Sequence, residues 1–305
     1  MKRLFQGAMA LATVAALSTS AVAHDPPGVI FEIWQWPTSH LPTLDADLSE
    51  WDVVPEELWI TEQDMNNENF IQSAPTDSDP DASDLAVRFT FGWNDETERL
   101  YLAYDRFDDY FSIQRDDIEL AVDADHSAGY YWSTEGMTDE EAQRARGRQA
   151  QIAHFFFHSK VDDLGRPWNW NWMTQADWYQ EPPYSDGAYV WSEPELGQEY
   201  TWQIELWHVW WDDFNWQDPE GSVIHDLQEG EIIGMAVRNW DGDVGQCCSH
   251  DDTGEILSSW GLHFNESSTN ADFHPDWILL PVDEDALPTA VEDNTWGHIK
   301  ASFAN

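Results

Sequence analysis

The sequence predicts an all-β chain: a two-sheet antiparallel β-sandwich, jelly-roll-like, with a short helical insertion and a C-terminal tail. Three observations lead there. Short runs of apolar and polar residues alternate with period 2, the mark of strands whose successive side chains point to opposite faces. Turn chemistry separates those runs. The 305 residues include 20 Trp, 14 Phe and 9 Tyr, ample for a core despite a net charge of −46, so disorder is excluded.

Val29 to Trp36 reads as a first strand, and residues 64–84, with Asp77, Asp79, Asp81 and Asp84 around Pro80, as a polar loop. Leu85, Val87, Phe89, Phe91 and Trp93 then alternate with Ala86, Arg88, Thr90 and Gly92. Leu100, Leu102 and Tyr104 form a second run, and Ile118, Leu120 and Val122 a third. These three read as a meander with one apolar face that a second sheet must cover. Thr138 heads a helix over about 138–148, with Glu141 completing a capping box. Gln151 to Phe157 resumes as a strand, and 159–187 reads as a long aromatic loop. Further strands are expected near 188–192, 200–208, 231–239, 256–263 and 277–280. From Pro281 the chain becomes an acidic linker and a short amphipathic tail, Trp296 to Phe303.

Residues 1–23 read as a secretory leader: Lys2-Arg3, an apolar stretch from Leu11 to Leu17, and Ala21-Val22-Ala23 as the cleavage site. The domain would then be 24–282, followed by the tail 283–305, and the protein secreted or periplasmic. No other segment is apolar enough to insert in a membrane. Thirteen basic residues stand against 59 acidic ones, which excludes nucleic acid and anionic membranes as natural partners. Such a carboxylate-rich, lysine-poor surface fits a high-salt, halophilic setting. The two cysteines, Cys247 and Cys248, are adjacent; an exported chain permits a strained disulfide between them, and free thiols or intermolecular bonds are the alternatives.

Candidate chemistry lies mainly in the aromatics. Trp168, Trp170 and Trp172, with Trp178, sit among Asn and Gln, where indoles can stack on the apolar face of a sugar ring; the alternative is that they pack back as satellite core. Trp also attracts cations. No Ser/His/Asp signature, phosphate loop or zinc spacing is present, so catalysis is not expected. Cleavage after Ala23 would make His24 the N-terminus, whose amine and imidazole can chelate copper only with a second histidine. Acidic loops suit hard cations such as calcium. Asp77-x-Asp79-x-Asp81 is no EF-hand, because Ala82 replaces the glycine and Arg88 stands at position twelve.

Several motifs in order carry a resemblance: Leu44-Asp45-Ala46-Asp47-Leu48-Ser49-Glu50-Trp51; Trp93-Asn94-Asp95 leading into Leu100-Tyr101-Leu102; Asp116-Asp117-Ile118-Glu119 ending at Asp123; His126 to Tyr131; and Glu231 to Val237. Together, over roughly 40–282, they resemble the family 9 carbohydrate-binding modules and the DOMON-like β-sandwiches related to them. The resemblance implies binding of a polysaccharide or oligosaccharide, and structural calcium, for which Asp45, Asp47, Asp123 and Asp125 are candidates. The family clamps a terminal sugar between two tryptophans. Here neither region holds one, and Phe111 and Phe273 stand as substitutes, while the family's glutamate matches at Glu119. A second resemblance is to b-type haem-binding subunits of ethylbenzene dehydrogenase-type enzymes, over Arg166 to Trp178. Their liganding lysine is absent; Met173, His154 and His158 would be the axial candidates, and no C-x-x-C-H exists for covalent attachment. The expected function is non-catalytic sugar binding, with a haem-binding electron-transfer domain and a self-assembling surface protein as alternatives.

Overall fold

The structure, a computed structural model, describes residues 28–67, 81–112, 116–132, 134–156, 168–170, 176, 178–242, 258–262 and 270–287. The leader, Trp172, Cys247 and Cys248, His158, Met173 and the Trp296–Phe303 tail lie outside the described residues.

Fifteen strands are described: Ile30–Gln35 (β1), Ile60–Thr61 (β2), Asn66–Asn67 (β3), Leu85–Asn94 (β4), Arg99–Asp108 (β5), Asp117–Asp123 (β6), Gln151–Phe156 (β7), Trp168–Trp170 (β8), Ser185–Trp191 (β9), Tyr200–His208 (β10), Trp211–Asp213 (β11), Val223–Ile224 (β12), Ile232–Asp241 (β13), Ser258–Gly261 (β14) and Asp276–Leu279 (β15). One helix, Asp139–Ala145 (α1), lies in the predicted insertion, and both hydrogen bonds of the Thr138/Glu141 capping box are present.

The described strands depart from the expected pair of separate sheets. Thirteen form one hydrogen-bonded sheet, in the order β8-β7-β6-β13-β15-β1-β4-β5-β10-β9, with β2, β3 and β14 off that path. The joint is β1, which changes partner midway: Ile30 to Ile33 pair with β15, and Trp34 and Gln35 with β4. Both pairings are parallel, whereas an antiparallel arrangement was expected. The sheet is therefore curled, and its two halves share one core. Ile118, Leu120 and Val122 of β6 and Val237 of β13 meet Val87, Phe89, Leu102 and Ile204 of the other half there. Trp277 stands edge-on to Phe91 at 5.2 Å across that core.

The β4–β5 hairpin explains the Trp-Asn motif. Asn94 Oδ1 accepts from Thr97 N (2.9 Å) and Oγ1 (2.7 Å), closing the turn, while its Nδ2 donates to Trp36 O at 2.8 Å. Gly92 lies directly under the Trp36 indole; a Cβ there would stand 2.4 Å from Trp36 Nε1.

Strict alternation leads one to expect half-buried strands with a wet face. Instead all seven residues of β6 are buried. Each outer face has its own cover. On the β6/β13 half, Ala121, Ile152 and Ala236 lie beneath Tyr131 and Ala271. On the β5/β10 half, Tyr101, Ala103 and Trp207 lie beneath Trp36, Trp51 and Trp59. Glu205 pins that second cover: it accepts from Trp51 Nε1 (2.7 Å), Ala46 N (2.7 Å) and Asp45 N (3.1 Å). Burial pushes its carboxyl up to about 7 despite those three donors. Most described tryptophans are thus structural.

Candidate functional site

The site grows from three neighbouring strands of the β6/β13 half. On β6, Ile118 and Leu120 enter the shared core, so Asp117 and Glu119 must face away from it. Register places Glu119 between Arg238 of β13 and His154 of β7, and Asp117 opposite Trp240 of β13. Cross-strand partners share a face, and the contacts confirm it. Arg238 Nη1 donates to both oxygens of Glu119, at 3.3 and 3.2 Å. Trp240 Nε1 donates to Glu119 Oε2 at 2.8 Å. His154 Nδ1 lies 2.8 Å from Asp117 Oδ2, and its Nε2 is 3.8 Å from Glu119 Oε2. The Arg238 guanidinium also sits 5.2 Å from the Trp240 ring centroid.

All five side chains are nearly buried, which sets their protonation. Burial alone would raise Glu119, but Arg238 and His154 outweigh it and hold its carboxyl below the usual range. Burial alone would lower His154, but Glu119 and Asp117 outweigh it and hold the imidazole above its usual value. Asp117 is raised by burial, with His154 opposing. The network therefore combines ionised Glu119 with two cations and a second acid, and is close to balanced in charge.

The register of β8 brings two predicted residues to this region: Trp170 pairs with His154, and Trp168 with Phe156. Sequence reasoning named Glu119 but missed Arg238, Asp117 and Trp240 as its partners. A signal existed. Basic residues are few, 13 in 305, and the two most buried arginines, Arg106 and Arg238, both lie inside strands and anchor carboxylates.

The other predicted residues fall elsewhere. Phe111 is buried against Trp191 (5.5 Å) and Tyr200 (5.2 Å). Trp178 lies in a small aromatic cluster, stacked on Phe214 at 5.2 Å, with Nε1 donating to Trp216 O at 2.8 Å. Phe273 is half-buried in the turn Ala271–Phe273. His154, the one described haem-ligand candidate, directs both ring nitrogens at carboxylates, an arrangement that suits an imidazolium rather than an iron ligand.

The four aspartates considered for calcium lie in two places. Asp45 and Asp47 serve the opening segment, where Asp45 accepts from Asp47 N and Asp47 caps the 3-10 helix Leu48–Val53. Asp123 accepts from Ser127 N and Ala128 N, and burial together with neighbouring Asp125 raises its carboxyl to about 7. Among the described residues the set able to hold a metal is a different one. Asp108, Asp116 and Asp241, all buried, bring carboxylate oxygens within 4.8 Å of one another at the ends of β5 and β13 and the start of β6. Arg106 contacts two of them: Asp108, and Asp116 at 3.5 Å. Its Nη1 also donates to Trp240 O at 2.9 Å. Backbone N–H groups of Tyr110, Ser112 and Gly242 donate to Asp108 and Asp116. An all-oxygen donor set of three carboxylates suits a hard cation such as calcium. Arg106 offsets only one of the three charges, and burial raises Asp116 well above the usual range although Arg106 opposes it.

No family model matches the sequence. The chain is similar to a trimethylamine monooxygenase of Roseovarius sp. (strain 217), 29% identical over 108 residues, covering 32% of this chain and 22% of that protein. That match spans about a fifth of the relative's length. Two solved structures are similar in fold. Both are a carbohydrate binding module family 9 from Caldicellulosiruptor kristjanssonii. The complex with cellotriose is 11% identical, with a TM-score of 0.45, covering 86% of this chain and 98% of that one. The complex with glucose is 10% identical, with a TM-score of 0.46, covering 85% and 100%.

Proposed function

We propose that this chain is an exported, non-catalytic carbohydrate-binding protein that recognises a neutral glycan or small sugar beside Glu119. The observation that carries this reading is the charge-balanced network of Glu119, Arg238, His154, Asp117 and Trp240 on one face of the sheet. A sugar hydroxyl both donates and accepts. Glu119 and Asp117 offer acceptor oxygens; Arg238, Trp240 and protonated His154 offer donors. Because the charges nearly cancel, such a site does not select an ionic ligand. The mutual hydrogen bonds hold the groups in place before binding, which lowers the ordering cost of association. Trp168 and Trp170, on the strand paired with β7, are the nearest candidates for stacking by register.

The test is calorimetry with glucose and cellotriose, supported by an array of plant and algal polysaccharides. Saturable binding is expected. Glu119→Gln should weaken it by about tenfold or more, the order of one charge-assisted hydrogen bond, while the circular dichroism spectrum is retained. Absence of binding across the array, or unchanged affinity in Glu119→Gln, would sink the reading.

A further inference from the structure

The charge balance of the Glu119 network turns on one proton. Arg238 keeps its charge at any ordinary pH. Glu119 is held ionised by Arg238 Nη1, at 3.3 and 3.2 Å, and by Trp240 Nε1 at 2.8 Å. The cation that can come and go is His154.

Its charged surroundings are set by register. From β6 it faces Asp117, whose Oδ2 is 2.8 Å from Nδ1, and Glu119, whose Oε2 is 3.8 Å from Nε2. From β13 it faces Arg238, whose charge opposes its own. From β8 its cross-strand partner is Trp170, which carries no charge. Tyr131, in the cover over this face, stands by Glu119 and Arg238, and burial holds its hydroxyl protonated well above the usual range. An imidazole with a carboxylate off each nitrogen is stabilised as the cation.

Loss of that proton changes the network twice over. Asp117 and Glu119, two positions apart on one strand face, are left with Arg238 as their shared cation, and the set passes from balance to an excess negative charge. Like charges held close in a buried place disfavour each other's ionised form. At the same time Nε2 turns from donor to acceptor and then faces a carboxylate oxygen, acceptor against acceptor. Both changes disturb the fixed donors and acceptors that a sugar hydroxyl would meet.

We infer that sugar binding beside Glu119 is gated by the proton on His154: the protonated network binds and the deprotonated network releases. This rests on the reading of the site given above. Linkage makes the effect reciprocal, so a bound sugar raises the proton affinity of His154 by the same factor by which the proton raises sugar affinity.

Calorimetry of cellotriose binding to the full chain, from about pH 6 to about pH 9.5 and in buffers of different ionisation enthalpy, tests the gate. Affinity should fall by about tenfold as pH rises through the folded value of His154, with net proton uptake on binding in that window. His154→Gln, which cannot titrate, should give a flat profile and no proton uptake. His126→Gln, at a histidine paired with Asp276 outside the network, should leave the profile as it is. A second measurement serves even where His154→Gln fails to fold. In nitrogen-15 NMR of the unmodified chain, saturating cellotriose should raise the titration midpoint of the His154 ring by about one pH unit, the counterpart of a tenfold coupling. Constant affinity across the range, a pH profile that survives His154→Gln, or a midpoint that cellotriose leaves in place overturns the gate and spares the binding reading. Absence of cellotriose binding throughout the range overturns both.

Discussion

Arg106 and Arg238 are both almost wholly buried, both lie inside strands, and both face carboxylates, but their surroundings differ in balance. Arg238 meets Glu119, with His154 and Asp117 completing a set of two cations and two acids. Arg106 stands alone among Asp108, Asp116 and Asp241. Removing charges from water is costly, and mutual attraction offsets that cost only when pairing is good. The Arg238 network meets this condition within itself. The Arg106 cluster does not. Its excess negative charge must be met by a proton, on Asp116 in particular, or by a cation.

The largest test of this contrast is Arg106→Met, which leaves three buried acids without their guanidinium. A loss of about 3–5 kcal/mol is expected in urea unfolding at neutral pH, with partial recovery at acid pH, where the aspartates protonate. Recovery absent at low pH would mean that lost packing, not charge, dominates.

Calcium separates the two ways of meeting the excess. If the cluster takes the ion, added calcium raises stability by about 2.7 kcal/mol at a hundredfold excess over Kd, and Asp241→Asn abolishes the gain. An unfolding curve unmoved by calcium or chelator would leave protonation as the sole remedy.

Glu119→Gln attacks the balanced network. It leaves Arg238 and His154 without their shared anion, and about 2 kcal/mol should be lost, less than at Arg106 because Asp117 still faces His154. A loss as large as that of Arg106→Met would erase the contrast.

The smallest effect is in pH. His154 is held above its ordinary value of 6.5, so its stabilisation is complete below about that pH and disappears as pH rises through the folded value. Glu119, held below 4.5, behaves oppositely: its contribution is present above about 4.5 and is lost as pH falls through its folded value. Stability attributable to Glu119 and His154 should therefore peak between the two. His154→Gln should remove the decline on the alkaline side alone; a profile identical to that of the unmodified protein would show that His154 carries no such charge.

Much of the fold was legible where a single local rule governs. The Tyr200–His208 strand follows from strict alternation, and α1 from a capping box three residues apart. The short strands β2, β3, β8, β11 and β12 were not, because two or three residues carry no period. For the network, Glu119 was legible through a motif. Arg238 and His154 were not, since they lie 119 and 35 residues from Glu119 and meet it only by register. The aspartates at 108, 116 and 241 were hidden among 59 acids.

The sequence by itself determined that the chain is β-rich, where the long strands run, and which of their residues turn toward a shared core, because alternation is written residue by residue. The tertiary structure alone decided that β1 joins both halves into one curled sheet, that the polar faces are buried as well, and which carboxylates are balanced. Those outcomes depend on which distant strands become neighbours, and a charge acquires its meaning from the partner it is buried beside.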